Sequence, residues 1–186
     1  MNEILGSGAL WYLIRGSGIV ALLLLTATVA LGIATANRWG AAGMPRFVTA
    51  ALHRSVALLS VVFLGIHVLT SIIDTYVSIR VADAFVPFVG SVHPLALGLG
   101  AVGFDLVLAL VVTSLARARL GLRAWRVVHW LAYLAWPVAL LHGLAMGTDA
   151  ATAWNVTVVA ACVLVVAAAV GWRVQSTRVR SAEGVA

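Results

Sequence analysis

The chain contains five apolar stretches, residues 10–35, 47–72, 97–116, 124–146 and 152–173, each long enough to cross a lipid bilayer. A hydrocarbon core of about 30 Å takes roughly 20 residues of helix rising 1.5 Å each. Composition agrees with that reading: 63% of the 186 residues are hydrophobic and 10% are charged. Mean hydropathy is +1.08, whereas soluble domains stay at about 45–50% apolar residues. The expectation is an all-α integral membrane bundle of about five transmembrane helices, forming one domain over residues 1–186.

All twelve basic residues are arginine, and the formal charge is +6. In a soluble protein such a balance suggests nucleic acid, but these arginines sit between apolar runs and act as topology signals. No nucleic-acid partner is expected; membrane lipid is. Arg38 and Arg46 follow the first stretch; Arg117, Arg119, Arg123 and Arg126 follow the third; Arg173, Arg178 and Arg180 close the chain. By the positive-inside rule these segments face the cytoplasm, with the C-terminus among them. Segments 74–96 and 147–151, which carry Asp74, Asp83 and Asp149, then lie outside together with the N-terminus. Trp11, Tyr12 and Trp154 fall at the outer ends of the spans and Trp39, Trp125 and Trp172 at the inner ends, as interfacial aromatic belts require. Met1, Asn2 and Glu3 supply no basic leader, so the first helix is expected to be retained, and the protein to sit in a bacterial-type plasma membrane as a multi-pass chain. Segment 74–96, with Pro87, Gly90 and Pro94, is expected to form a partly apolar cap on the outer face. The single cysteine, Cys162, lies in an apolar run and cannot build a disulfide framework or a cysteine cluster.

Four of the five histidines lie inside predicted spans: His53 and His67 on the second, His129 and His142 on the fourth. An ionisable side chain in hydrocarbon is expensive without a partner and is a functional candidate by default. His53 and His67 are 14 residues apart, so at about 100° per residue they return to within roughly 40° of one face, about 21 Å apart along the axis. His129 and His142 are 13 apart, about 19.5 Å of rise. The second and fourth helices run in the same direction, so His53 can meet His129 near the inner side and His67 can meet His142 near the outer side. Each pair leaves room for a flat macrocycle whose iron takes both imidazoles. Thirteen residues of ideal helix leave His142 rotated by about 140° from His129. A tightened turn at Pro137 is expected to restore much of the phase. The competing readings are histidines that merely hydrogen-bond neighbouring helices in a haem-free structural subunit, and divalent metal transport. Transport calls for carboxylates beside the histidines, and the spans offer only Asp105.

Other polar or bulky residues in the spans have candidate roles beside the histidines. Arg15, next to Gly16, Ser17 and Gly18, needs an anion in its buried setting, which a haem propionate supplies; snorkelling to the headgroups is the alternative. Arg54 and Arg126 flank the inner histidines and can hold the inner propionates. Tyr133 and Trp136 fall between the two histidine levels and can pack between the rings. Ala57, Ser60, Gly65 and Gly143 are small enough to admit a ring, or serve ordinary helix packing. Asp105 is expected to be protonated or paired with Arg15, His67 or His142, and His93 to be a surface residue.

The pattern of His53 and His67 on one helix and His129 and His142 two helices later, with the Arg15–Gly18 stretch, Trp130 and Pro137, resembles the ferric reductase-like transmembrane domain. That superfamily includes NADPH oxidases, ferric reductases and the haem-binding subunit of a periplasmic methionine sulfoxide reductase. The resemblance implies two haem b groups, an inner one on His53 and His129 and an outer one on His67 and His142, with Arg15 at an outer propionate. It also implies electrons passing from a cytoplasmic flavoprotein or a quinol to an acceptor outside, in an oxidoreductase. The chain departs from the oxidases in lacking the FAD and NADPH domain and any Gly-rich nucleotide motif, and it has five spans where the family has six. The donor is therefore expected to be a separate flavin reductase or a membrane quinol, with an extracytoplasmic redox partner as acceptor.

Overall fold

The structure is a computed structural model that describes residues 8–40, 45–75 and 77–183. Met1, Asn2 and Glu3, on which the expectation of no cleaved leader rests, lie outside the described residues. The elements in order are α1 (Gly8–Ala36), α2 (Arg46–Ile73), α3 (Val81–Phe85), α4 (Pro94–Leu115), α5 (Arg117–His129), α6 (Ala132–Met146) and α7 (Ala153–Glu183). Helices α1, α2, α4 and α7 are each long and apolar enough to span, and α5 with α6, bent by 46° at their junction, passes the same test together, as a broken fifth span or a re-entrant loop. The chain is thus an all-helical multi-pass membrane protein.

Burial is inverted relative to a soluble bundle. Val29, Ile33, Ala101, Ala135, Trp136 and Cys162 are buried among the described residues, while leucines and valines such as Leu58, Leu69, Val112 and Leu164 are exposed. An apolar exterior of this extent needs hydrocarbon around it. Helix α1 is central: it packs along α2 and touches α6 and α7, while α4 packs on α6.

Local chemistry sets the ends. Pro45 precedes α2 and Pro94 opens α4 at the first helical position, where its missing N–H costs nothing. Helix α1 closes with Arg38 at φ 56, and the Trp39 N–H donates to the Ala34 carbonyl at 2.9 Å, a Schellman-type closure with arginine where glycine is usual. Helix α7 runs ten residues past the expected end at 173, because no proline or glycine stands between Gly171 and Gly184 to interrupt its ladder.

The bend between α5 and α6 corrects one expectation. The tightened turn is not at Pro137 but just before it: the N–H groups of Leu131, Tyr133 and Leu134 donate to the carbonyls of Val128, Trp130 and Leu131 at 2.9, 3.1 and 3.0 Å. Pro137 cannot donate to Tyr133, and its ring crowds that carbonyl, so the adjustment falls in the preceding turn. Winding at about 120° instead of 100° per residue there turns His142 toward the side that His129 faces.

Candidate functional site: two facing histidine pairs

Three of the four membrane histidines are held by one repeated device. His67 Nδ1–H donates to the Ile14 carbonyl at 2.9 Å and its ring lies on Gly18. His53 Nδ1–H donates to Thr28 at 3.0 Å and lies on Gly32. His142 Nδ1–H donates to Ala96 at 2.8 Å and lies on Gly100. In each case the glycine stands four residues after the accepting carbonyl. A helical side chain covers the turn N-terminal to its own Cα, so leaving out the Cβ there uncovers the carbonyl to a neighbouring imidazole. A Cβ at Gly100 would come within 2.6 Å of the His142 ring, one at Gly18 within 3.0 Å of His67, and one at Gly32 within 3.2 Å of His53.

This device fixes the chemistry of the rings. A carbonyl only accepts, so Nδ1 carries the proton and the Nε2 lone pair of all three histidines is left for a metal.

His129 is different. Its Nδ1 is buried without a partner, and its ring stacks on Trp125 at 4.7 Å between centroids and 27° between planes. The interval that separates His129 from His142, taken forward from Gly100 along α4, ends at Thr113 and not at a glycine. The Thr113 hydroxyl itself donates to the Ala109 carbonyl, one turn back, at 2.6 Å.

The pairs expected from spacing are the pairs that form. His53 and His129 lie 6.3 Å apart between ring centroids with planes at 80°, and His67 and His142 lie 6.2 Å apart at 79°. Two metal–nitrogen bonds of about 2.0–2.1 Å, with roughly 1.1 Å from each nitrogen to its ring centre, put trans imidazoles about 6.3 Å apart. Both pairs therefore have the separation of two axial ligands on one metal. Between α1, α2, α4 and α6 a cavity of about 360 Å³ is lined by His67, His142, Gly18, Gly100, Gly143 and Arg15. It is overwhelmingly apolar, as a site for a large flat cofactor with a polar edge should be.

The other candidates fall as follows. Arg15 pairs with Asp149 at 2.5 Å and donates to Asn155 Oδ1 at 3.0 Å, and its guanidinium lies 5.9 Å from the Trp154 ring centre. Its Nε is buried without a partner. Asp105, half-buried on α4, makes no ion pair with Arg15 and no hydrogen bond to His67 or His142; the anion beside Arg15 is Asp149, which sequence reasoning missed. Trp136 is buried and its Nε1–H donates to Thr26 Oγ1 at 2.9 Å. Tyr133 packs against the same core, beside Trp130, with Arg173 over both rings. Arg54 and Arg126 are exposed next to their end of the bundle. Ser60 and Gly143 line the cavity, whereas Gly65 is exposed and Ala57 accepts from Ser60. His93 is exposed at the start of α4, with φ 38. Cys162 is buried and free.

The fold and these contacts define a multi-pass membrane protein with two pairs of facing histidines at two levels of the bundle. The chain belongs to the ferric reductase-like transmembrane family: the family described as ferric reductase like transmembrane component matches residues 17–140, which include His53, His67 and His129. That membership makes it a membrane electron-transfer component of the ferric reductase type. No curated protein matches the chain, and no solved structure does.

Proposed function

We propose that the chain holds two haem b groups, one between His53 and His129 and one between His67 and His142, and passes electrons across a bacterial-type plasma membrane. The observation that carries the reading is the equal spacing of both imidazole pairs, 6.3 and 6.2 Å, at the separation of trans ligands. Haem supplies one-electron chemistry between ferric and ferrous iron. The protein supplies the rest: Nδ1–H bonds that orient three of the ligands, glycines that seat them, and an apolar cavity that excludes water.

The arginine-rich end faces the cytoplasm in this reading, so His53 and His129 form the inner site and His67 and His142 the outer one. The donor is a cytoplasmic flavoprotein or a quinol, and the acceptor lies outside the membrane. Arg15, with its spare Nε and its place on the cavity wall, serves an outer propionate while Asp149 holds it in position. Arg54 and Arg126 serve the inner propionates. Tyr133 and Trp136 fill the layer between the two levels.

Purified protein should give a b-type reduced-minus-oxidised spectrum and a pyridine haemochrome of two haems per chain. His67→Ala or His142→Ala should each lower the content to one. A protein free of haem would overturn the proposal and leave a structural membrane subunit. Comparing reduction rates with a quinol and with a flavin reductase separates the two donor classes.

A further inference from the structure

His129 lacks the carbonyl bond of its three counterparts but has a contact they do not. Trp125 stacks on it at 4.7 Å, and the Arg117 guanidinium lies over the same indole, 4.6 Å from its ring centre. The Trp125 Nε1–H donates to Ser114 Oγ at 3.3 Å, which fixes the ring. An unbroken π-contact therefore runs from a histidine of the inner pair to an exposed arginine. Trp125 itself is half-buried, at the end of the bundle.

The surroundings of this stack carry one sign of charge. Arg117, Arg119, Arg123 and Arg126 are all exposed, and among the described residues none of them is in an ion pair. No carboxylate occurs in the sequence between Asp105 and Asp149. Four uncompensated cations within ten residues make a field that attracts anions and speeds their encounter. Topology alone would be served by arginines reaching for lipid phosphates. Arg117 instead lies over the indole that touches the histidine, so one of these charges is held at that aromatic group.

We infer that Trp125 is where electrons enter this protein, and that Arg117, Arg119, Arg123 and Arg126 seat a soluble electron-donor protein whose redox group lies in an acidic face. The inference rests on the reading that His53 and His129 hold a haem. In the entry step the reduced donor would lose one electron to a haem that His53 and His129 would hold, whose ferric iron would become ferrous; no bond or proton would change hands within this chain. Trp125 is a positioning residue that acts through His129, and the arginines bring the donor to it.

The experiment uses the haem-loaded protein in nanodiscs of zwitterionic lipid, which removes headgroup charge as a source of salt dependence. The probe is a flavodoxin, a small acidic flavoprotein, in two arms. In the first, binding of the oxidised flavodoxin is measured at equilibrium against ionic strength. In the second, the hydroquinone reduces the protein in a stopped-flow instrument and the limiting rate is separated from the concentration at half-saturation. Arg119→Ser combined with Arg123→Ser should weaken binding and slow encounter at low salt by about 10- to 1000-fold, with the limiting rate retained. The same pair should speed reduction by hexaammineruthenium(II), a cationic reductant. Trp125→Leu should lower the limiting rate several-fold with binding unchanged, and Trp125→Phe should restore it. Binding insensitive to the arginines and to salt overturns the docking site. A limiting rate unchanged in Trp125→Leu overturns the entry point. A preparation without haem ends the haem reading, while the equilibrium arm still decides the docking site.

Discussion

The two histidine pairs share a spacing but not a setting. At the acidic end, His67 and His142 both donate to carbonyls, both lie on glycines, and both line the same apolar cavity. At the arginine-rich end only His53 has a carbonyl and a glycine; His129 has neither and lies against Trp125 instead. One pair is anchored twice to neighbouring backbone; the other is anchored once, and its second ring lies against an aromatic side chain. The difference shows that a matched spacing does not make two histidine pairs equivalent, because the surrounding backbone decides how each imidazole is held.

The largest expected effect tests the glycine seats. In Gly100→Ala the new methyl would stand 2.6 Å from the His142 ring, and the ring can withdraw only by giving up the Ala96 carbonyl. We expect haem content to fall from two to about one per chain, measured by pyridine haemochrome, with overpacking costing about 1–3 kcal/mol besides. Gly32→Ala places its methyl 3.2 Å from His53, near the edge of tolerable contact, and should keep both haems. If Gly32→Ala loses as much haem as Gly100→Ala, the tighter build assigned to the acidic end is wrong.

A smaller effect tests the layer between the pairs. Trp136 is buried beside Val29, Ile33 and Cys162, and its indole N–H donates to Thr26 on α1, between Gly18 and Gly32 in sequence. Trp136→Phe keeps most of the ring volume and removes that donor from a buried hydroxyl. The loss should be about 1–3 kcal/mol, read as a lower thermal unfolding midpoint in detergent, with both haems retained. If one haem alone were lost, the layer would belong to that site rather than be shared by the two.

Most of the architecture was legible in the sequence because the bilayer imposes a single length scale and a single polarity on every span. The histidine pairs were legible because two nearly equal intervals, His53 to His67 and His129 to His142, place imidazoles at matched depths. Their seats had a signal too: the step from Gly18 to Gly32 equals the step from His53 to His67, and antiparallel α1 and α2 bring each glycine to a histidine. The rest depended on facts that no residue type announces. The tight turn before Pro137 arises from how the bend is shared among Val128, Trp130 and Leu131. Asp149 reaches Arg15 from the far end of the sequence, across the loop before α7. The Trp125 stack depends on a break inside α5, where Gly121 at φ 76 separates the turn that carries Arg117 from the one that carries Trp125 and His129.

The smallest expected effect concerns what covers each end. At the acidic end, segment 77–93 closes over the cavity, and Asp83 is both part of the cavity wall and almost wholly buried, at 4% exposure. Arg80 holds it through Nη2 to Oδ1 at 2.8 Å, Nε to Oδ2 at 3.3 Å and its own backbone N–H to Oδ2 at 3.0 Å, and reaches the Val89 carbonyl at 3.3 Å. The side-chain hydrogen bonds from Arg80, then its backbone N–H, hold the Asp83 carboxyl below its usual 3.8. A group whose folded pKa is depressed stabilises the fold above its unfolded value, and that contribution is lost as pH falls through the folded one. The cap should therefore be fully closed at neutral pH and loosen only below about pH 4. Hydrogen exchange, corrected for the intrinsic effect of pH, should rise across residues 80–90 in that window. Exchange in α5, which has no such latch, should not. Asp83→Asn should show the raised exchange already at pH 7 and little further change on acidification. An Asp83→Asn cap as protected as the wild type would mean that packing of Phe85 on Phe104, 5.3 Å apart, holds this end closed without the ion pair.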